Sequence, residues 1–199
     1  QVPFIVMRYI EGAPLQQAKA DMSLEEKVAA VRDVALALHE AHRIGLIHRD
    51  VKPGNILVER LEDGSFRPLI TDFGIARDTS DAGVTMADSV QGTPAFMAPE
   101  QAAGRTRALD RRTDVYGLGA TLYDALAGRP PITADSVLSL LRSVVESEPM
   151  PLREAAAEIP ADLEAIVMKC LEKDPAARFE SAKALAEDLQ HFLDGDPVL

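Results

Sequence analysis

The chain contains 199 residues, 47% of them hydrophobic, which is enough to bury a substantial core in one domain or one large lobe. Its formal net charge of −11 argues against nucleic acid or an anionic membrane as the main partner and is typical of a solvated acidic surface. The single cysteine, Cys170, excludes a disulfide framework, and no apolar run reaches the roughly 18 residues that a membrane-spanning helix needs. We therefore expect a segment that folds in a reducing compartment without inserting into a membrane.

The first part of the chain predicts one strand and then one long helix. Residues 3–10 are β-branched and apolar, as in a buried strand, and residues 11–14 are expected to break it before a short helical patch. Ser23 and Glu26 form a capping box, which marks the start of a helix, and Gly45 is expected to end it. The face of this helix is spaced by threes and fours and consists of Leu24, Val28, Val31, Val34, Ala35, Leu38 and His42.

A hairpin and a long loop are predicted next. Residues 56–58 and 66–70 are typical of short strands, and the Asp63-Gly64 pair between them is a strong turn signal. Residues 75–95 lack periodicity and are rich in Thr, Ser, Asp and Gly, which indicates a long surface loop. A loop of that length within a compact domain is usually functional.

The remainder of the chain predicts helices. From Thr113 onward one apolar face is expected, formed by Val115, Leu118, Leu122 and Leu126 and ended by Gly128. Three more helices are predicted over residues 136–145, 160–171 and 181–193, with a turn at 174–178. Few early strands and many late helices indicate an α+β fold with a mostly helical body.

The polar residues between Gly45 and Gly74 predict the chemistry. Asp50 and Asp72 flank the predicted hairpin, which would bring them together, and Asn55 adds a neutral oxygen. Carboxylate and amide oxygens suit a hard cation such as Mg²⁺, and Lys52 suits phosphate oxygens as a point charge. Together these groups could position a phosphoryl group and neutralise its developing charge. Taken one at a time, each of these residues is equally well explained as an ordinary turn former.

Motifs in this region resemble those of eukaryotic-type protein kinases. The sequence HRDVKPGN at residues 48–55 is similar to the catalytic loop H-R-D-x-x-x-x-N, and DFG at 72–74 to the metal-binding motif. The sequence APE at 98–100 resembles the end of the activation segment, and DFGIAR with a short helical tail points to the bacterial, Hanks-type group. Three motifs in the family's order and spacing imply a protein-kinase-like fold and a protein serine/threonine kinase activity.

The resemblance implies a role for each catalytic position. Asp50 resembles the base that accepts the proton of the substrate hydroxyl, and Asn55 and Asp72 resemble the Mg²⁺ ligands. Lys52 resembles the lysine that contacts the γ-phosphate, and its place two residues after Asp50 favours serine/threonine over tyrosine substrates. Thr93 resembles the threonine that bonds near the catalytic aspartate. The cofactors implied are ATP and Mg²⁺, with Mn²⁺ as an alternative, and Lys52, Asn55 and Asp72 would contact the nucleotide.

The same resemblance implies an adenine pocket. Leu57 is expected to lie under the adenine, and Met7 is similar to the gatekeeper residue of the opening strand. In that register the carbonyl of Arg8 and the amide of Ile10 would pair with the adenine edge.

Several other positions are expected to support the site. Asp114 resembles the aspartate that holds the backbone of the catalytic loop, although a carboxylate at a helix start also has a general electrostatic explanation. Glu100 and Arg178 resemble the buried ion pair that fastens the activation segment to the lobe. His48 and Phe73 are interpreted as packing residues, and the other three histidines as ordinary helix residues with no metal.

Regulation by phosphorylation is also expected. Arg49 precedes Asp50, as in kinases in which that arginine meets a phosphate on the activation loop. Thr85 is the first candidate for that phosphate, with Ser89, Thr79 and Ser80 as weaker candidates. A loop that is never phosphorylated is the alternative. A basic patch for an acidic substrate, or a merely solvated loop, is expected at Arg105, Arg107, Arg111 and Arg112.

In family terms, residues 1–12 correspond to the last strand of the N-terminal lobe and the hinge, and residues 13–199 to the C-terminal lobe. A glycine-rich loop, the strand lysine and its helix glutamate have no counterpart in these residues, so the N-terminal lobe is a missing partner. We expect the fragment alone to be inactive and the full-length enzyme to phosphorylate proteins in the cytoplasm, or at the cytoplasmic side of a membrane-anchored receptor kinase. The alternatives are a non-catalytic scaffold lobe, which would not need four intact polar positions, and a small-molecule phosphotransferase, which would not need the GTPAFMAPE segment at 92–100.

Overall fold

In the computed structural model, residues 9–73 and 94–198 are described. Their helices and strands follow in the order β1 (Gly12–Pro14), α1 (Leu15–Ala18), α2 (Leu24–Arg43), β2 (Ile56–Arg60), β3 (Phe66–Ile70), α3 (Pro99–Ala102), α4 (Arg111–Ala127), α5 (Val137–Glu146), α6 (Leu152–Ala155), α7 (Ala161–Cys170) and α8 (Ala182–Asp194). Short 3-10 turns connect them, among them Lys19–Asp21, Pro53–Asn55, Pro94–Phe96 and Pro175–Ala177. The α+β class with a mostly helical body is confirmed.

A three-stranded antiparallel sheet carries the polar loops of the chain. The strand order is β1-β2-β3, with Leu57 opposite Leu69 and Ile56 opposite Ile70. The predicted hairpin is confirmed, and its turn residue Gly64 has φ of 84°. Ile56 and Val58 are buried on one face of β2, whereas Leu57 points to the other face.

Two predictions about the early chain need correction. Residues 11–14 are not only a break: Gly12–Pro14 forms β1 along the edge of β2, because the unpaired backbone of β2 needs a partner. Gly12 is required there, since a Cβ atom would lie 2.5 Å from the carbonyl oxygen of Val58. Pro14 is tolerated because β1 is an edge strand. Residues 1–8, most of the predicted opening strand, lie outside the described residues, and Ile10 is not in a strand.

The capping box of α2 is confirmed, since the Ser23 hydroxyl accepts a bond from the Glu26 amide and the Glu26 carboxylate accepts one from the Ser23 amide. The helix ends at Arg43, and Gly45 follows it in the left-handed conformation with φ of 82°. Its apolar face lies against α4 and α8, so α2 connects the sheet-bearing part of the chain to the helical body.

Helix α4 is the centre of the fold. The prediction of a single apolar face is wrong: residues 113–125 are all buried, because α2, α7 and α8 pack around the helix. Two glycines allow close approach, since a Cβ atom at Gly117 would lie 2.9 Å from Cβ of Val51 and one at Gly119 would lie 2.3 Å from Cβ of Cys170. The segment that carries Val51 therefore lies directly on α4.

The other predicted helices form with shifts of one or two residues at their ends. Ser136 and Ser181 cap α5 and α8, and the turn at Pro175–Ala177 is present. Helix α6 was not predicted, because four residues are too few for a periodic pattern. Residues 75–93 of the predicted surface loop 75–95 lie outside the described part of the chain. Its last two residues, Pro94 and Ala95, are buried in a 3-10 turn.

Candidate active site

A short polar loop between α2 and β2 presents the first group of candidate residues. Asp50 accepts hydrogen bonds at Oδ2 from Lys52 Nζ (2.9 Å) and from Asn55 Nδ2 (3.0 Å). The Asn55 amide also donates to the backbone carbonyl of Asp50 (2.8 Å), which closes the loop on itself. The Asp50 carboxylate keeps 25% exposure. It is therefore oriented by two donors on one oxygen while remaining open to a molecule that enters from solvent.

Asp114 of α4 attaches this loop to the helical core. Its side chain is fully buried, and it accepts the backbone amide of His48 at Oδ2 (2.8 Å) and that of Arg49 at Oδ1 (2.8 Å). These two amides have no strand or helix partner, so burying them requires such an acceptor. Asp114 is thus a structural anchor for the residues immediately before Asp50.

His42 is a further hydrogen-bond partner of Asp114, and the sequence did not indicate it. Its Nε2 lies 2.7 Å from Asp114 Oδ2, and both side chains are buried. The interpretation of His42 as an ordinary helix residue is therefore wrong. It lies 72 residues from Asp114 along the chain, and its helical spacing resembles that of the neighbouring core residues. Only the packing of α2 on α4 brings the two together.

His48 connects the loop to the end of β3. The ring is buried, and Nδ1 accepts the backbone amide of Asp50 (3.2 Å) while Nε2 lies 2.9 Å from the carbonyl oxygen of Thr71. This network requires the neutral tautomer with hydrogen on Nε2. The ring also packs on Phe73, with 4.7 Å between centroids. His48 thus packs on Phe73 and also holds the backbone amide of Asp50.

The hairpin brings Asn55 and Asp72 to the same end of the sheet. The Thr71 amide donates to the Asn55 carbonyl (2.9 Å), so Asp72 follows immediately beside Asn55. Asp72 is exposed and adopts φ of 59°, a left-handed conformation that costs a non-glycine residue free energy. Such outliers concentrate at functional sites.

These two side chains fit a divalent cation. Both hydrogen bonds that the Asn55 side-chain NH₂ group donates go to Asp50. Within the described part of the chain, Asn55 Oδ1 accepts no hydrogen bond. The exposed carboxylate of Asp72 supplies charge, and an amide oxygen with a carboxylate is a donor set that Mg²⁺ accepts when phosphates and water complete its coordination. Within the described residues, no group of three or more His, Cys, Asp or Glu side chains could hold a metal by itself.

Arg49 is held in an unusual conformation next to the loop. Its φ is 64°, its amide donates to Asp114, and its carbonyl accepts from Gln101 Nε2 (2.8 Å). The guanidinium Nε is buried and, among the described residues, has no hydrogen-bond partner. Gln101, which the sequence did not single out, therefore ties α3 to the loop.

Glu100 and Arg178 form a buried ion pair beneath this region. Arg178 donates to both carboxylate oxygens of Glu100 (2.9 and 2.8 Å), and Thr113 adds a third bond (3.0 Å). The Arg178 side chain has 0% exposure, and its guanidinium group also donates hydrogen bonds to backbone carbonyls. Burial by itself raises the pKa of Glu100, but the hydrogen bonds and charge of Arg178 outweigh it and hold that pKa below its usual range.

The remaining predicted site residues are only partly within the described chain. Leu57 lies half-buried on the outer face of β2, and Ile10 is half-buried before β1. The structure describes neither positions 7 and 8, which are predicted to contact the nucleotide, nor positions 79, 80, 85, 89 and 93. Their predicted roles, at Met7, Arg8, Thr79, Ser80, Thr85, Ser89 and Thr93, remain predictions.

The predicted arginine patch after α3 is mostly exposed. Arg105, Arg107 and Arg111 are exposed, and Arg111 donates to the carbonyl of Glu180 (2.7 Å).

Among the described helices, none combines the length and apolar character required to cross a bilayer.

Replacing Asp114 with asparagine is expected to slow any reaction at Asp50 by about tenfold to a hundredfold. The backbone amide of either His48 or Arg49 would then face an NH₂ group instead of an acceptor oxygen, and the polar loop would shift. The free energy of unfolding should fall by about 1–3 kcal/mol for the same reason. Steady-state kinetics and urea unfolding of the purified variant measure the two effects. Unchanged kinetics would show that Asp114 does not position the loop.

Comparisons with known proteins agree with this geometry. Residues 1–190 match the protein kinase domain family. The chain is 37% identical over 201 residues to the serine/threonine-protein kinase PknB of Mycobacterium tuberculosis, covering 98% of this chain and 31% of that protein. It is 37% identical over 202 residues to a probable serine/threonine-protein kinase of Streptomyces coelicolor, covering 99% and 29%. The chain thus spans about a third of the length of these relatives.

Among solved structures, the fold is similar to a double mutant of the PknI kinase domain of Mycobacterium tuberculosis. The TM-score is 0.71 at 28% identity, and the match covers 93% of this chain and 64% of that one.

Proposed function

The chain belongs to the protein kinase domain family, and on this basis we propose that its site transfers the γ-phosphoryl group of ATP to serine and threonine hydroxyls of proteins. The observation that carries the proposal is the arrangement of Asp50, whose carboxylate is oriented by Lys52 and Asn55 on a loop anchored to α4. Its relatives are bacterial serine/threonine-protein kinases, so the same chemistry is expected in bacterial signalling. Because ATP is required, we place the site in the cytoplasm or on the cytoplasmic side of a membrane.

Asp50 acts as the base in this proposal. Its partly exposed carboxylate orients the acceptor hydroxyl and takes its proton, while the hydroxyl oxygen forms a bond to the γ-phosphorus. The bond from that phosphorus to the bridging oxygen breaks, and ADP leaves. Lys52, which contacts Asp50 at 2.9 Å, places a positive charge where the transferred phosphoryl oxygens gather negative charge. The acceptor and the phosphoryl group are therefore handled by neighbouring side chains.

Asn55 and Asp72 would hold Mg²⁺, or Mn²⁺ in its place. When bound, the cation would neutralise the negative charge of the phosphates. Asp72 provides an exposed carboxylate and Asn55 a carbonyl oxygen that faces no donor in the described part of the chain. The outer face of β2 at Leu57, together with Met7, Arg8 and Ile10, would receive the adenine.

The function is tested with the full-length protein, labelled ATP, Mg²⁺ and a pool of peptides. Label in phosphoserine and phosphothreonine, and none in phosphotyrosine, is the expected result. Label that enters only small molecules would favour a small-molecule phosphotransferase. Absence of transfer with retained ATP binding would favour a scaffold lobe.

Phosphorylation of the loop is proposed as the regulatory step. The buried Nε of Arg49 has no hydrogen-bond partner in the described chain, and a phosphate group would supply one. We expect autophosphorylation of active full-length enzyme to occur first at Thr85, before Ser89, Thr79 and Ser80. Time-resolved phosphopeptide mass spectrometry measures the order. An active enzyme with unmodified Thr85 would contradict this assignment.

Residues 1–199 by themselves are expected to turn over ATP at no more than a small fraction of the full-length rate. They contain no glycine-rich loop and no strand lysine to hold the α- and β-phosphates. A coupled ADP-release assay on both proteins measures the difference. Equal turnover numbers would show that the described lobe suffices.

A further inference from the structure

A small cleft adjoins the polar loop on the side of Phe96. It has a volume of about 250 Å³, and its described lining includes Lys52, Pro53, Phe96, Asp124 and Pro130. Lys52 contacts Asp50 at 2.9 Å, so the cleft begins one side chain away from the proposed base. A side chain near the acceptor residue of a bound peptide could therefore enter it.

Asp124 is the only carboxylate in the described lining of this cleft, and it is already paired. It projects from α4 with its side chain 9% exposed, and Lys19 Nζ donates to its Oδ2. The same ammonium group donates to the backbone carbonyl of Asp124 (3.0 Å), and its side chain is 17% exposed. Lys19 comes from the 3-10 turn after α1, 105 residues earlier in the chain, so only the tertiary fold forms this pair.

The pairing changes what the cleft can bind. A carboxylate that is nearly buried and unpaired would attract a guanidinium or ammonium group strongly, because little water screens it. With Lys19 bound to it, the Asp124 carboxylate is neutralised, and Lys52 at the other side of the cleft is likewise paired, with Asp50. An incoming arginine would leave water without finding an unpaired carboxylate in the described lining, which costs free energy. The surfaces of Pro53, Phe96 and Pro130 suit an uncharged side chain instead.

We infer that Lys19 is a specificity-determining residue: by occupying Asp124 it makes the cleft accept an uncharged side chain of the substrate peptide and reject arginine and lysine. This inference rests on the proposed function, since it assumes that a peptide lies along the polar loop. Lys19 does not touch the reacting atoms. Its effect is on which peptide is chosen.

The test uses the full-length protein and peptides with one threonine acceptor, in which each other position is in turn arginine, norleucine or glutamate. The quantity compared is the ratio of kcat/KM for the arginine and norleucine peptides within each variant, which cancels a general loss of active enzyme. In Lys19→Met this ratio should rise about tenfold at a single peptide position, because a charge-assisted bond to Asp124 becomes available. Lys19→Arg, which keeps the positive charge, is the matched control and should retain the wild-type ratio.

Asp124 provides the second, independent variant. The double variant Lys19→Met with Asp124→Asn should lose the gain for arginine, because no carboxylate remains. Asp124→Asn alone frees the charge of Lys19 and should raise the kcat/KM ratio for glutamate over norleucine at that same position. A merely structural role of the ion pair would lower kcat/KM for all peptides and leave both ratios unchanged, and that result would overturn the inference.

Peptide binding, followed by fluorescence anisotropy, separates this inference from the proposed function. A gain in arginine-peptide binding by Lys19→Met without phosphorylation would support the cleft and contradict the proposed function. Phosphorylation by every variant with the wild-type preference would support the proposed function and overturn the cleft.

Discussion

Replacing Asp50 with asparagine is expected to lower kcat for peptide phosphorylation by about a thousandfold in the full-length protein. An amide cannot take up the proton of the acceptor hydroxyl, and general-base catalysis contributes about 10²–10⁴-fold. The substitution keeps the size of the side chain, so Lys52 and Asn55 can retain their positions and the free energy of unfolding should change little. Steady-state kinetics with saturating ATP measure kcat, and urea unfolding checks the fold.

The exposed Asp196, beyond α8, provides the matched control for charge. Its replacement with asparagine removes the same carboxylate far along the chain from the polar loop and should leave kcat unchanged. If Asp50→Asn were folded and retained the wild-type kcat, the assignment of Asp50 as the base would be wrong.

The second large effect is expected on stability, at Glu100. Glu100→Gln leaves the guanidinium of Arg178, which has 0% exposure, without its carboxylate partner. Breaking a buried pair in this way costs about 3–5 kcal/mol, which is a large part of the free energy of unfolding of a typical domain. The melting temperature should fall by about 10 °C. Thermal and urea unfolding measure the loss.

An exposed pair offers the control for this variant. Glu146 bonds to Arg142 on the surface of α5 at 2.7 Å, and both side chains are largely exposed. Glu146→Gln should change the free energy of unfolding by less than about 1 kcal/mol, because water screens such a pair. A loss at Glu100 no larger than that at Glu146 would contradict the expected effect.

The Glu100 pair also predicts a pH dependence. Arg178 holds the pKa of Glu100 below its usual value of 4.5, so the native state binds this proton less readily than the unfolded chain. The stabilisation is therefore fully present above that usual value and is lost as the pH falls through the lowered folded-state pKa. The difference in unfolding free energy between wild type and Glu100→Gln should accordingly shrink below about pH 4.5. A difference that stays constant on acidification would show that Glu100 does not titrate in this way.

The ion pair also bears on how the site is organised. Glu100 follows the proposed phosphorylation position along the chain, and Arg178 lies 78 residues later, before α8. Through Gln101 the same short helix α3 reaches the carbonyl of Arg49 in the polar loop. Loss of Glu100 should therefore also disturb the polar loop, and a fall in kcat is expected along with the fall in stability.

Local patterns in the sequence determined where the candidate site residues and the long elements lie. The sequence predicted the positions of Asp50, Lys52 and Asn55, and of Asp72 after a hairpin. Each of these residues lies in or beside a turn whose sequence signals are local. The capping box of α2 was readable for the same reason, since its bonds span three residues. These features depend on neighbours along the chain, which a linear pattern records.

Only the tertiary structure decided how these residues are held and what surrounds them. Asp114 receives His42 from a helix 72 residues away, and Asp124 receives Lys19 from 105 residues away. Nothing in the spacing of a lone histidine or lysine distinguishes these residues from their neighbours on the same helix or turn. The reason is physical: α4 is buried on all sides, so the two carboxylates need partners from whichever element packs against them.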